Sequence, residues 1–166
     1  MGCCTENAGV SCTSEVEASS RRCEKMRDVL NLVQKRFLNG ISKGFEELTN
    51  AYVNILEDGK VDYEHAVQEG HEDRILHIFS IAMSDLNEDL KVFAKQFGEF
   101  APDRAYFGLI ARYVRVVAER IRDLEPNKEL LMEFLSESEK KMKEECEIAF
   151  EVQKSRFLAS VESCEV

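Results

Sequence analysis

From Met26 onward, apolar side chains return at every third or fourth position: Met26, Leu30, Val33, Phe37, Ile41, Phe45, Leu48, Tyr52 and Ile55. That interval places them on one stripe of an α-helix. The stripe stops at Glu57-Asp58-Gly59, where Gly59 is suited to a C-terminal cap. A second stripe runs through Ile75, Phe79, Met83, Leu86, Leu90, Phe93 and Phe97, and Gly98 and Pro102 close it. Asp103 can cap a third, with Tyr106, Ile110, Val114 (or Tyr113), Val117, Ile121 and Leu124 inward, up to Pro126. Asn127 can cap a fourth, which carries Leu131, Leu135, Met142, Cys146, Ala149, Phe150, Phe157 and Val161.

The pattern predicts helices over about 21–57, 71–98, 103–124 and 127–163, making one helical domain over 21–163. Residues 1–20 are small and polar without apolar periodicity, and read as a flexible tail. Residues 60–70 are a weakly patterned connector, and the pattern leaves open whether the chain reverses there or one long helix merely kinks. No strand alternation or internal repeat is visible.

The first and fourth helices reach about 37 residues, roughly 55 Å at 1.5 Å per residue. Their spacing is close to a heptad, for which left-handed coiled-coil packing is the natural outcome. Such narrow stripes need cover along their whole length. Two shorter helices supply part of it, and a second copy of the chain is expected to supply the rest. The fold expected is therefore all-α: a long-helix antiparallel bundle of coiled-coil type, dimeric. Phe37, Phe45, Phe79, Phe93, Ile110, Val117, Phe150 and Phe157 form its core or dimer seam.

Composition sharpens this picture. With 8 Gly and 2 Pro in 166 residues the chain lacks the means for many tight turns. Apolar residues at 44% oppose disorder throughout, and charged residues at 33% suit long solvated helical faces. No apolar run is long enough for a membrane span, and the start lacks the form of a secretory signal.

The net charge of −10 speaks against nucleic acid as a partner, since that binding needs Lys and Arg to displace counterions. The charge is uneven, however. Residues 21–43 carry +5, 44–103 carry −10, 104–128 carry +3 and 129–166 carry −5. On the third helix Arg104, Arg115 and Arg122 fall within about 20° of one another, with Arg112 a step away. Arg120 belongs to the same helix, and Lys25, Arg27, Lys35 and Arg36 form a second basic group. Two readings stand for these nine residues: solvated faces paired with acidic neighbours, or contacts to an anionic membrane surface or acidic partner.

Signals for chemistry are missing from the sequence. His65, His71 and His77 are six apart, so each turns about 240° from the last and they do not converge on a metal. They read as solvated or connector residues. No Glu-x-x-His pair, nucleotide-binding glycine loop, Gly-x-Ser-x-Gly elbow or His-Glu-x-x-His motif occurs. Gly40 and Gly44 sit inside the first helix, where they let a neighbouring helix approach or introduce a bend. The reading is of a non-enzymatic chain with no cofactor and no metal.

The six cysteines, at 3, 4, 12, 23, 146 and 164, form no Cys-x-x-Cys pair and read as reduced thiols of a cytoplasmic protein. The start Met1-Gly2-Cys3-Cys4 makes Gly2, Cys3 and Cys4 candidate lipidation sites, although Glu6 stands where myristoylation usually has Ser or Thr. An unmodified tail is the alternative.

Three stretches together suggest a family. Phe107-Gly-Leu-Ile-Ala-Arg-Tyr-Val-Arg-Val-Val-Ala-Glu-Arg-Ile121 resembles the start of the second helix of the BAR domain of sorting nexins. Glu144-Glu-Cys-Glu-Ile-Ala-Phe-Glu-Val-Gln-Lys-Ser-Arg-Phe-Leu158 resembles that domain's final helix, and residues 36–48 its opening one. The resemblance implies one kinked long helix over 25–98, a second over 103–124 and a third over 127–163. It also implies an antiparallel homodimer, or pairing with a related helical protein. Arg112, Arg115, Arg120 and Arg122 would then meet phosphoinositide-bearing membrane. The sequence departs from the family in its shorter second and third helices, its acidity and the lack of a preceding PX domain. The expected function is a dimerising helical scaffold in vesicle or endosomal trafficking, cytoplasmic and peripheral on membranes. A monomeric four-helix-bundle adaptor for a protein partner is the alternative.

Overall fold

The structure is a computed structural model that describes residues 9–68, 71–100, 105–161 and 164. Every regular element among the described residues is a helix: α1 Gly9–Asp58, α2 Lys60–Ala66, α3 His71–Phe97, α4 Ala105–Asp123 and α5 Lys128–Ser160. The all-helical class and the four stripes stand as expected from the sequence.

The punctuation residues end helices for identifiable reasons. Gly59 and Gly98 take φ of 143° and 112°, a region that favours glycine, and so release the chain from α1 and α3. Their N–H groups still bond back to the Ile55 and Ala94 carbonyls. Asn127 opens α5 by accepting the Leu130 N–H on its side-chain oxygen at 3.1 Å.

Three boundary expectations need correction. α1 begins at Gly9, so residues 9–20 are helical where a tail was expected, while 1–8 lie outside the described residues. Residues 60–66 form a helix that turns Tyr63 into the core, where a connector was expected. The stretch implied to be one kinked helix over 25–98 instead folds back on itself. Arg36 reaches Asp89 at 3.1 Å, and Gly44 lies against the Phe79 ring, so α1 and α3 run antiparallel.

The remaining pairings close a square. α5 runs antiparallel to α1, tied by Lys128 to Glu57 at one end and by Lys154 to Asn31 nearer the other. α4 lies between α3 and α5: Arg115 reaches Glu72 of α3, and Arg112 reaches Glu145 of α5. α1 and α4 are thus diagonal and parallel, and they meet only through the core, where the Phe37 and Tyr106 rings stand 6.0 Å apart edge to face. The result is an up-down-up-down bundle with α2 across one end.

The stripes close on one another inside a single chain. Phe37, Phe45, Phe79, Phe93, Ile110, Val117 and Phe150 are all buried, and Phe157 is partly buried against Phe93 and Phe100. The covered stretch of α1 runs from Cys23 to Tyr52. At 1.5 Å per residue that is about 45 Å, and α3 and α5 supply about 40 and 50 Å. The premise that two copies must share the seams is corrected by these lengths. What projects is the start of α1, where residues 17–22 are exposed.

Candidate functional site

A polar cluster is buried at the α2 end of the bundle. His71 opens α3 and is only 1% exposed, so the solvated or connector role expected for it is corrected. Its Nε2 lies 2.9 Å from the Ala118 carbonyl of α4. A carbonyl only accepts, so Nε2 carries the proton. Nδ1 is then an acceptor, and the Tyr52 hydroxyl of α1 donates to it. The Tyr63 hydroxyl of α2 donates to the Ile121 carbonyl of α4 at 3.3 Å. One residue from each of α1, α2 and α3 therefore anchors to its neighbour or to the backbone of α4.

The electrostatics fit a neutral cluster. Burial lowers the His71 pKa below its usual value; Arg122 and Arg74 act in the same sense, and the Ala118 bond and Glu72 oppose them. Burial also pushes Tyr52 and Tyr63 up to about 12. Both tyrosines and His71 spend their polar atoms on one another and on α4. The arrangement suits locking helices together.

A second polar contact joins α1 to α5. The Lys154 side chain is almost fully covered, and Nζ donates to Asn31 Oδ1 at 2.6 Å and Glu151 Oε1 at 2.7 Å. Lys154 is buried because α5 keeps its seam by steps of four: Cys146, Phe150, Lys154 and Leu158. Each step of four overshoots a full turn by about 40°, and the buried line drifts around the helix. Sequence reading missed Lys154, since a lysine in an apolar stripe is ordinarily assigned to solvent. The signal was the four-residue step itself.

The basic residues do not assemble into one surface. Arg112 and Arg115 bind acids on opposite neighbours of α4, and Arg36 is held by Asp89. Arg120 lies over the Phe134 ring of α5. Lys25, Arg27, Lys35 and Arg122 are exposed and make no ion pair among the described residues, and Arg104 lies outside them. Lys25 and Arg27, two residues apart on one helix, point roughly 160° away from each other. Because α1 and α4 are diagonal, the outward basic side chains of the two helices face opposite sides of the bundle.

The surface between α1 and α3 carries a shallow groove of about 260 Å³ floored by Gly40, Gly44 and Ala82. A Cβ on Gly44 would meet Phe79 Cε1 at 2.9 Å, and one on Gly40 would meet Ala82 Cβ at 3.1 Å. The two glycines therefore admit α3, the packing role expected from their spacing.

The cysteines among the described side chains divide into two kinds. Cys23 and Cys164 are joined in a disulfide, where reduced thiols were expected. Cys146 is free and buried in the core, and burial holds its thiol up at about 12. Gly2, Cys3 and Cys4, the candidate lipidation residues, lie outside the described residues. Among the described residues no three His, Cys, Asp or Glu side chains gather as a metal site would require, and no helix is long and apolar enough to cross a membrane.

No protein-family model matches the chain, no curated protein does, and no solved structure does.

Proposed function

We propose that the protein is a non-enzymatic four-helix adaptor that folds as a single chain and binds a protein partner through its outer helix faces. The observation that carries this reading is the closure of all four apolar stripes within one copy, from Met26 through Tyr52 on α1 to Leu158 on α5. A bundle whose seams are already filled has no need of a second copy for stability. What it offers instead are long charged faces, acidic along much of α3 and α5.

The dimerising, membrane-bound scaffold of sorting-nexin type draws less support. It rested on seams one chain was too short to cover and on arginines gathered on one face. The partner surface is instead expected to be a mixed-charge helical one, on the cytoplasmic side of the cell.

Static light scattering at micromolar concentration tests the proposal. A mass near the 19.0 kDa of one chain is the expected result. A mass of twice that, persisting on dilution, sinks the single-chain adaptor and restores the dimer.

A further inference from the structure

The face shared by α1 and α3 has small residues at its middle and larger apolar ones toward both ends. Gly40 packs against Ala82, and neither side chain is tall enough to fill the seam above them, so a groove of about 260 Å³ remains. Ile81 lines it and is 54% exposed. Toward the other end Arg36 bridges to Asp89 at 3.1 Å, and both line the groove. Beyond that bridge stand Leu32, one turn earlier on α1, and Val92, about one turn later on α3. Because the helices are antiparallel, these two lie at the same level, and they are 56% and 65% exposed. Val92 and Ile81 are eleven residues apart on α3, which is within about 20° of three full turns and spans about 16 Å. The groove is thus the middle of a three-turn face with an exposed apolar group at each end.

The two walls of the groove carry opposite charge. Lys43 lines it on the α1 side and Asp85 on the α3 side, and neither makes an ion pair among the described residues. Glu47, one turn past Lys43, lines the end of the α1 wall. We propose that this face docks one amphipathic helix of a partner protein, with its apolar stripe laid from Val92 to Ile81 and its two flanks opposite in charge. The inference rests on the adaptor reading and gives the partner a place and a chemistry.

Apolar side chains at i, i+4, i+7 and i+11 of the incoming helix cover the three turns. The outer two meet Leu32 with Val92 at one end and Ile81 at the other. A bulky middle one fills the space above Gly40 and Ala82 that this chain leaves open. An acid on one flank faces Lys43, and a base on the other faces Asp85. A helix with both flanks of one sign brings like charge against one wall. Turning the helix end for end exchanges its flanks, so the walls also select its direction. A lipid surface or a nucleic acid, uniform in sign, matches one wall only.

The test titrates the full chain against a labelled synthetic helix of about 16 residues and reads fluorescence anisotropy. The probe carries Leu at i, i+4, i+7 and i+11, Glu along one flank and Lys along the other. Two companion peptides carry Glu on both flanks or Lys on both. The mixed-flank peptide is expected to bind saturably, about fivefold or more tighter than either companion. Ile81→Glu should weaken it about tenfold or more, whereas Ile148→Glu, a change at a 64% exposed position on α5, should leave it unaltered. Lys43→Glu makes both walls acidic and should turn the preference to the Lys-flanked peptide, and Asp85→Lys should turn it to the Glu-flanked one. Each charge variant gains one peptide as it loses another, which misfolding does not mimic. The docking site is overturned if the mixed-flank peptide does not bind, if the three peptides bind alike, or if Ile81→Glu and Ile148→Glu weaken binding equally. The mass of the free chain, measured on the same samples, keeps the two readings apart. One-chain mass without peptide binding removes this site and leaves the single-chain adaptor standing. Twice that mass, halved by Ile81→Glu, makes a second copy the occupant and removes both.

Discussion

Tyr52 of α1 donates its hydroxyl proton to Nδ1 of His71, the first residue of α3, beneath the short helix that joins the two. Because the other ring nitrogen donates to the Ala118 carbonyl, the imidazole spans three helices and has to be neutral to do so.

That neutrality sets a pH dependence. Burial, aided by Arg122 and Arg74, lowers the folded pKa of His71 below 6.5, while Ala118 and Glu72 resist. The unfolded chain therefore takes up a proton first as pH falls. The stabilising contribution is complete above about pH 6.5 and is lost as pH drops from there toward the folded value. Urea unfolding midpoints at pH 7.5 and 5.5 should differ more in the natural protein than in His71→Gln. The substitution should also lower stability at pH 7.5 by about 1–3 kcal/mol, since Tyr52 and Ala118 each lose a buried partner. Equal pH dependence in both proteins would remove His71 as the cause.

The glycines of α1 and α4 should respond in opposite directions. Gly44→Ala gains about 1 kcal/mol of helix propensity but drives a Cβ into the Phe79 ring, itself wedged 5.0 Å from Phe45. Overpacking costs about 1–3 kcal/mol, so the net change should be destabilising. Gly108 of α4 has nothing within 4 Å of the added Cβ, so Gly108→Ala should stabilise by about 0.5–1 kcal/mol. Thermal melts of the two variants decide this, and the same sign for both would contradict the packing described.

Lys154 offers a third check. Its two partners, Asn31 and Glu151, are themselves solvent-exposed residues that water can serve when the ammonium is gone. Lys154→Met keeps the stem's volume and is expected to change stability by less than about 1 kcal/mol. Lys154→Glu places like charge beside Glu151 in the same covered position and should cost about 3 kcal/mol or more. A large loss with methionine would show that the ion pair itself holds α1 to α5.

Membrane recruitment is checked by flotation with the unacylated chain. With Arg36, Arg112 and Arg115 engaged by acids and the free cations divided between opposite sides, recovery should be the same with neutral and anionic vesicles. Selective recovery with anionic vesicles would revive the scaffold reading, and its loss in Arg122→Glu would locate the contact on α4.

Much of the bundle was legible along the chain. A stripe such as Ile75, Phe79, Met83, Leu86, Leu90 and Phe93 reports its own buried face, because side chains three and four apart share one side of a helix whatever lies opposite. Gly59, Gly98 and Asn127 likewise act on their own backbone, so the helix boundaries at these three residues fell within a few residues of expectation. Tyr63 escaped notice because a single aromatic in a seven-residue helix makes no period.

Partner choice was not local, and there the sequence alone was silent. That α1 spends its stripe on α3 and α5 of its own chain depends on the reversal between α1 and α3 and on matched helix lengths. A stripe looks the same whether a sister helix or a second copy covers it. His71, at the edge of the pattern, becomes a buried link only when Tyr52 and the Ala118 carbonyl arrive from helices 19 and 47 residues away. Cys23 and Cys164 meet only because an odd number of reversals returns the end of the chain to the flank of α1. The sequence determined which faces are greasy and where helices stop, both properties of neighbours along the chain. The tertiary structure decided which faces meet, and with them every polar and covalent link between helices.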